Sequence, residues 1–259
     1  MIASLVAWLA SCASCHPAQA SAFEASRHAF ASELAVFRVS WAEARTRWCA
    51  SCHRPEGART AGLACTTCHA DANTDPSDAC VRCHEFKTPL PGHFDPVVYS
   101  AQPLQSTVSE LARHDPAARC ADCHDVHRAS GGHDPELVRR AVAFEARRTA
   151  DGVELRVTAQ SVGHQFPTGD PFRRLVITVC DDDACAEPIA RETIGRGFRM
   201  VKGVWAPVID RTLRDGETRV LRFPPSRRWR ATLYYADPKL ERGLPAGDVA
   251  LEVAAGAVP

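Results

Sequence analysis

Apolar side chains are distributed unevenly along the chain. Between residues 12 and 133, Leu, Ile, Val and Phe account for 17 of 122 residues, whereas from residue 134 to the end they account for 32 of 126. The first value is below the level of about one fifth at which a chain usually buries enough apolar surface to offset its conformational entropy. The first segment alone is therefore predicted to be disordered, whereas the second has the apolar content of a globular domain.

The first segment nevertheless contains helical patterns. Large side chains recur at helical spacing between residues 22 and 48, and a proline-rich loop then leads to a predicted helix over residues 104–113. We expect a mostly helix-and-loop domain with little regular structure over residues 12–133.

After residue 133 the pattern changes to β-strands. Residues 141–148 and 153–160 are separated by a short turn and predict a β-hairpin. A β-sandwich-like domain is therefore expected over residues 134–259, and the predicted fold class is α+β. Further strands are predicted at residues 173–180, 218–223, 229–235 and 248–254.

Ten of the twelve cysteines form five copies of the pattern C-x-x-C-H. Two thiols three positions apart can form thioethers to the two vinyl groups of one porphyrin, and the adjacent histidine can bind its iron as the proximal ligand. One isolated copy could also be half of a zinc site or a redox dithiol, but neither needs a histidine after every second cysteine. We predict haem c at all five motifs, numbered one to five in chain order: Cys12, Cys15 and His16; Cys49, Cys52 and His53; Cys65, Cys68 and His69; Cys80, Cys83 and His84; Cys120, Cys123 and His124.

The same haems would supply the apolar surface that the first segment lacks. The segment would fold around its cofactors as a small zinc domain folds around its metal. Residues 12–133 are therefore predicted to be largely unfolded without haem.

Six histidines remain once the proximal ligands are assigned. They suffice as distal ligands for five irons, and methionine competes little because the chain has only Met1 and Met200. Since methionine ligation raises the reduction potential, low-potential haems with histidine on both faces are expected. His127 lies too close to His124 to serve the same iron, and His114, near the end of a predicted helix, could instead be a solvated side chain. The distal candidates are His28, His93, His114, His127, His133 and His164.

The first residues resemble the end of an export signal. Haem c is attached after export, so we expect a periplasmic or extracellular protein and interpret residues 1–11 as the remnant of a signal peptide. Two processing patterns conflict with motif one. Residues 18–20 resemble a signal-peptidase site, and residues 9–12 resemble a lipoprotein box that would add a membrane anchor. Loss of residues 1–20 would leave four haems rather than five.

Two cysteines lie outside the repeated motif. Cys180 and Cys185 flank Asp181-Asp182-Asp183-Ala184, a turn that would place them across a hairpin. A structural disulfide is expected there, and free or metal-binding thiols are the alternatives.

The segment from Cys12 to His28, with a histidine twelve positions after His16, resembles the opening of multihaem cytochromes related to the tetrahaem electron acceptor of hydroxylamine oxidoreductase. The resemblance covers residues 12–133 and implies that His28 is a distal haem ligand. This chain departs from that family in having five motifs rather than four.

Residues 163–169, followed by Arg173 and Arg174, resemble a segment of multihaem cytochromes with a C-terminal β-domain. That resemblance implies that His164 reaches back to a haem and docks the β-domain.

Two classes of function remain open. The first is an electron carrier with no catalytic residues, whose partners are other redox proteins or a larger redox complex into which the β-domain docks. The second is a reductase or oxidase of a small nitrogen or sulfur compound, which needs a five-coordinate haem. The formal net charge of zero argues against a nucleic-acid partner, and the sequence leaves an oligomer or filament open.

Overall fold

The computed structural model describes residues 12–44, 47–57, 60–69, 76–89, 99–201 and 204–259. The chain divides into two compact units. Unit 1 consists of Met1–Cys83 and Arg119–Gly131, and unit 2 consists of His84–Ala118 and Gly132–Pro259. Residues 84–118 therefore belong to the same unit as the C-terminal half, and the division at residue 133 stays a prediction.

Unit 1 is built from short helices joined by turns. No helix among the described residues is long and apolar enough to cross a membrane. The helices are α1 (Pro17–Glu24), α2 (Ala35–Ala44), α3 (Arg47–His53), α4 (Cys65–Cys68) and α5 (Pro76–His84), followed by a 3₁₀ turn at Cys120–Asp122.

The helical pattern predicted over residues 22–48 is divided among three of these helices. Between α1 and α2 the chain forms turns, because its backbone bonds to a distant segment instead of continuing the helix. Ser32 N donates to Ala61 O at 2.8 Å, and Leu63 N donates to His28 O at 2.8 Å. The chain around His28 is thus held by tertiary hydrogen bonds.

Unit 2 begins with a two-stranded antiparallel sheet. Strand β1 (Glu85–Pro89) pairs with β2 (Tyr99–Ser106), and helix α6 (Thr107–His114) follows directly. The prediction that this helix begins at residue 104 is wrong, because Gln105 and Ser106 still pair with Phe86 and Glu85. Strand pairing outweighs the local helical pattern here.

Helix α7 (Pro135–Arg140) leads into the predicted hairpin. The Asp134 side chain caps the helix by accepting hydrogen bonds from two backbone N–H groups. Strands β3 (Val142–Thr149) and β4 (Gly152–Ala159) then pair in register, which confirms the hairpin. Gly152 has φ +155°, and a Cβ there would lie 2.1 Å from Phe223 O, so the turn requires glycine.

The remaining strands form two antiparallel sheets. The sheet orders are β10-β9-β5-β6-β7 and β3-β4-β8. Four of these strands confirm the sequence prediction, whereas β6 and β7 were missed because charged and glycine residues interrupt the apolar alternation of β6. The strands are β5 (Arg174–Cys180), β6 (Ala190–Val201), β7 (Val204–Asp210), β8 (Thr218–Phe223), β9 (Arg228–Tyr234) and β10 (Ala250–Ala257).

One apolar core joins the two larger sheets. Alternate residues of β4 and β5 are fully or almost fully buried, as expected for sheets packed face to face. Side chains of both sheets belong to a single buried cluster, which confirms an α+β fold with a β-rich C-terminal region. The cluster includes Val153, Leu155, Val157, Leu175, Ile177, Val179, Leu221, Ala231 and Leu233.

Candidate haem-binding site

The C-x-x-C-H motifs of unit 1 lie on short helical segments. Motif two ends α3, motif three forms and follows α4, and the cysteines of motif four lie on α5. Residues three apart on a helical turn share one face, so both thiols of such a motif can reach the same porphyrin. The local structure therefore suits the predicted attachment chemistry.

Side chains of different motifs are in direct contact around Arg82. Cys52 Sγ of motif two lies 4.0 Å from Arg82 O in motif four. The Arg82 guanidinium donates to Thr67 O of motif three at 3.0 Å. Motif four thus touches both preceding motifs.

Several cysteines of different motifs also contact one another. A hydrogen bond with the Cys83 thiol lowers the pKa of Cys52 to about 7, and the same contact raises the pKa of Cys83. Burial, together with contact with Cys120, raises the pKa of Cys80 to about 11. Cys65 of motif three contacts Cys12 of motif one in the same way. Through these contacts the five motifs form one connected group.

The rings of His69 and His127 lie near each other and almost parallel. Their centroids lie 6.3 Å apart, and their planes are 9° from parallel. Two imidazoles bound to one iron from opposite sides, each by a bond of about 2 Å, have centroids about 6 Å apart. These two side chains are thus at a separation that would allow both to bind one iron, although the two residues are far apart in sequence.

His53 and His28 are both half-buried within unit 1. Burial lowers the pKa of each imidazole, and the proximity of His28 lowers that of His53 further. The His53 ring stacks on Phe37 with centroids 4.5 Å apart, and its Nδ1 lies 3.4 Å from Ala31 O. Neutral imidazoles are the form that binds metal.

The Nδ1 atom of His124 is also engaged by the backbone. It lies 2.7 Å from Ser130 O, which selects the tautomer with the proton on Nδ1. A histidine that donates this proton to a carbonyl presents Nε2 to a metal, an arrangement common among iron and zinc ligands. His53 and His124, which the sequence assigns as proximal ligands, share this feature.

In unit 2, a chain of polar contacts leads from His84 to the segment that carries His164. The Gln105 amide lies 3.2 Å from His84 Nδ1 and 3.5 Å from Thr107 Oγ1, and Thr107 Oγ1 lies 3.1 Å from Thr168 Oγ1. His164 Nδ1 in turn lies 3.0 Å from Gln165 O. Both histidines thus have Nδ1 oriented by the protein.

The other distal candidates lie in different surroundings. His133 stacks on Tyr235 with ring centroids 3.9 Å apart, and Arg173 lies over the same tyrosine ring. His114 is the exposed last residue of α6, and His93 lies outside the described residues, as do residues 1–11. Polar partners such as Gln105 and Ser130 were missed from the sequence, since only the fold brings them to the histidines.

A cleft of about 390 Å³ lies along one face of α1. Its lining residues recur every three or four positions, so small side chains form one face of the helix beside motif one. A flat ring could pack closely against such a face. The lining residues are Ala18, Ser21, Ala22, Ala25 and Arg128.

Cys180 and Cys185 are brought together at the end of β5. Their Cα atoms are 5.3 Å apart and their sulfurs lie within bonding distance, which suits the expected disulfide. The turn between them is tied to the residue that precedes the neighbouring strand β9, because Asp181 accepts a hydrogen bond from Arg227 N at 3.1 Å.

Comparison with known proteins gives two findings. Residues 58–134, which include motifs three, four and five, match the sequence model of the cytochrome c3 family. The fold is similar to the crystal structure of a penta-heme cytochrome c552 from Thermochromatium tepidum, with a TM-score of 0.71, 19% sequence identity, and coverage of 97% of this chain and 98% of that one. No curated protein matches the chain at a significant level.

Neither comparison points to the tetrahaem acceptor of hydroxylamine oxidoreductase, so that finer resemblance stays a hypothesis. The broader class is supported by the repeated attachment motif and by the family match across three of its copies. The fold is shared with the penta-heme cytochrome over nearly the whole chain. The chain is a multihaem c-type cytochrome.

Proposed function

We propose that the chain carries five covalently attached haems and transfers electrons between them as closely packed, low-potential centres. The observation that carries this proposal is the contact between cysteines of different motifs, Cys52 with Cys83 and Cys80 with Cys120. Because each cysteine would bond to the edge of its own porphyrin, contact between the sulfurs requires those porphyrin edges to be neighbours. Electrons can then pass from haem to haem without a mobile carrier.

Histidine on both faces of each iron is the second part of the proposal. The separation of His69 and His127 supports them as the two ligands of haem three. The proximity of His28 to His53 supports a pair at haem two, and the polar contacts that lead from His84 to the His164 segment support a pair at haem four. His93, His114 and His133 remain candidates for the other irons.

The test of the electron-carrier function is electron paramagnetic resonance of the oxidised protein, combined with the intact mass. We expect a mass with five haems and only low-spin signals. A high-spin haem that binds nitrite or hydroxylamine would contradict the carrier and favour the reductase or oxidase. A mass that corresponds to four haems and to loss of residues 1–20 would show that motif one carries no haem in the mature protein.

The ligand pair at haem three can be tested separately by replacing His127 with methionine. A methionine ligand raises the potential, so potentiometric titration should show one haem shifted upward while the haem count is unchanged. Val126→Met is the matched control, because it adds the same side chain at the exposed neighbouring position. Equal titration curves for the two variants would refute the assignment of His127.

We also propose that Cys180 and Cys185 form a disulfide and that the protein works outside the cytoplasmic membrane, exchanging electrons with other redox proteins. The placement of the two sulfurs supports both statements, because disulfides persist in oxidising compartments. Alkylation of the unfolded, unreduced protein should leave both cysteines unmodified. Labelling of either cysteine would contradict the disulfide.

A further inference from the structure

A buried ion pair lies in unit 2 and has no role in haem attachment. The Glu110 side chain of α6 is only 1% exposed, and that of its partner Arg196 on β6 is 10% exposed. Burying a charged pair is costly unless further hydrogen bonds satisfy the remaining donors and acceptors. The other partners of these two side chains therefore indicate what the pair holds.

Each carboxylate oxygen of Glu110 accepts two hydrogen bonds. Oε1 accepts hydrogen bonds from Ser106 Oγ at 2.7 Å and from the Arg196 guanidinium. Oε2 accepts hydrogen bonds from Gln165 N at 3.1 Å and from Thr168 Oγ1 at 2.8 Å. Half of the hydrogen bonds to this carboxylate thus come from one short loop.

Arg196 holds the same loop from the other side. It donates to Gln165 Oε1 at 3.0 Å in addition to Glu110. Gln165 is thereby fixed by its backbone and by its side chain, and it is the residue next to His164. Helix α6 also packs closely here, since a Cβ at Gly163 would lie 2.8 Å from Leu111 Cδ1.

The loop itself has little regular structure to orient His164. Residues 160–165 are in neither helix nor strand, and the nearest paired backbone is the bridge between Phe166 and Leu213. An axial ligand must be held within a fraction of an ångström, and the groups around a ligand usually supply that rigidity. The Glu110–Arg196 pair is positioned to do so.

We propose that Glu110, with Arg196, is the positioning residue of the His164 loop and keeps His164 in place for iron ligation. This inference rests on the proposed role of His164 as a haem ligand. The buried charge of Glu110 would then fix the geometry of one haem, rather than serve only to stabilise the β-rich unit.

The test compares Glu110→Ala and Glu110→Gln with Glu154→Ala. Glu154 is the matched control, because it is also a buried glutamate, with 6% of its side chain exposed, and is paired with Arg147 at 2.7 Å. Haem content, electron paramagnetic resonance and potentiometric titration would be measured for each variant of the full cytochrome, together with thermal unfolding.

We expect Glu110→Ala to change the low-spin signal and the potential of one haem, with haem content unchanged. Glu110→Gln should restore most of the native signal, since its amide oxygen can still accept from the loop. Glu154→Ala should lower the melting temperature and leave every haem signal intact. If Glu110→Ala lowers the melting temperature but leaves the signals and potentials native, the positioning role is overturned.

Two further variants separate this inference from the function on which it rests. Thr168→Val removes one hydrogen bond to Glu110 and keeps the ion pair, so a smaller shift of the same haem signal is expected even if Glu110→Ala fails to fold. An unchanged signal in Thr168→Val would overturn the inference. His164→Ala should convert one haem to high spin; native signals in that variant would refute the ligand itself.

Discussion

Replacing Gly62 with alanine would test how the segment that carries His28 is held. A Cβ at position 62 would lie 2.3 Å from His28 O, 2.5 Å from Ala31 N and 2.7 Å from Ala29 C. All three are backbone atoms, so no flexible side chain can move aside. The two segments must separate by about 1 Å to reach ordinary van der Waals contact.

That separation would weaken the hydrogen bonds between the segments. Leu63 N donates to His28 O and Ser32 N donates to Ala61 O, each at 2.8 Å. Overpacking costs about 1–3 kcal/mol, and each lost hydrogen bond costs about 0.5–1.5 kcal/mol. We expect Gly62→Ala to lower the free energy of unfolding by about 2–4 kcal/mol and the melting temperature by about 5–10 °C.

Thermal unfolding followed by circular dichroism measures the loss, and electron paramagnetic resonance reports on the haem that His28 would bind. Gly247→Ala is the control, because a Cβ there meets nothing within 4 Å. The control should melt at or slightly above the native temperature, as expected for alanine in an open helical position. If Gly62→Ala melts like the control and keeps a native haem spectrum, the close approach at Gly62 does not hold the His28 segment.

Three other outcomes follow from the structure. Leu155→Ala, at a fully buried position of β4, should cost about 2–5 kcal/mol in thermal unfolding and leave the haem spectrum intact; a cost below 1 kcal/mol would contradict the shared core. Protein produced without haem should lose protease resistance in unit 1 and keep it over residues 132–259, since among the described residues the continuous apolar core lies in unit 2; equal resistance in both would refute haem-dependent folding. The double variant Cys180→Ala/Cys185→Ala should lose at most about 3 kcal/mol, because the disulfide closes a loop of only a few residues; a larger loss would show that Cys180 acts mainly through its packing.

The parts of the fold that follow local rules were predictable. The β3–β4 hairpin and strands β5, β8, β9 and β10 alternate apolar and polar residues, so their positions could be predicted to within three residues. Strand β6 could not, because Arg191, Glu192 and two glycines break that alternation and its place is decided by pairing with β5. Helix α6 starts late for a similar reason, since Gln105 and Ser106 are taken up by the β1–β2 sheet.

The candidate haem-binding site was likewise only partly predictable from the sequence. The attachment residues were identifiable because each haem c motif is five consecutive residues whose chemistry needs no distant partner. The sequence by itself therefore determined the cofactor, the number of attachment motifs and the shortage of apolar residues that predicts haem-dependent folding. Only the tertiary structure decided which motifs touch, that His127 lies near His69, and that Glu110 and Arg196 meet at the His164 loop. Those relations join residues distant in sequence, and they depend on how turns and strands pack rather than on any local pattern.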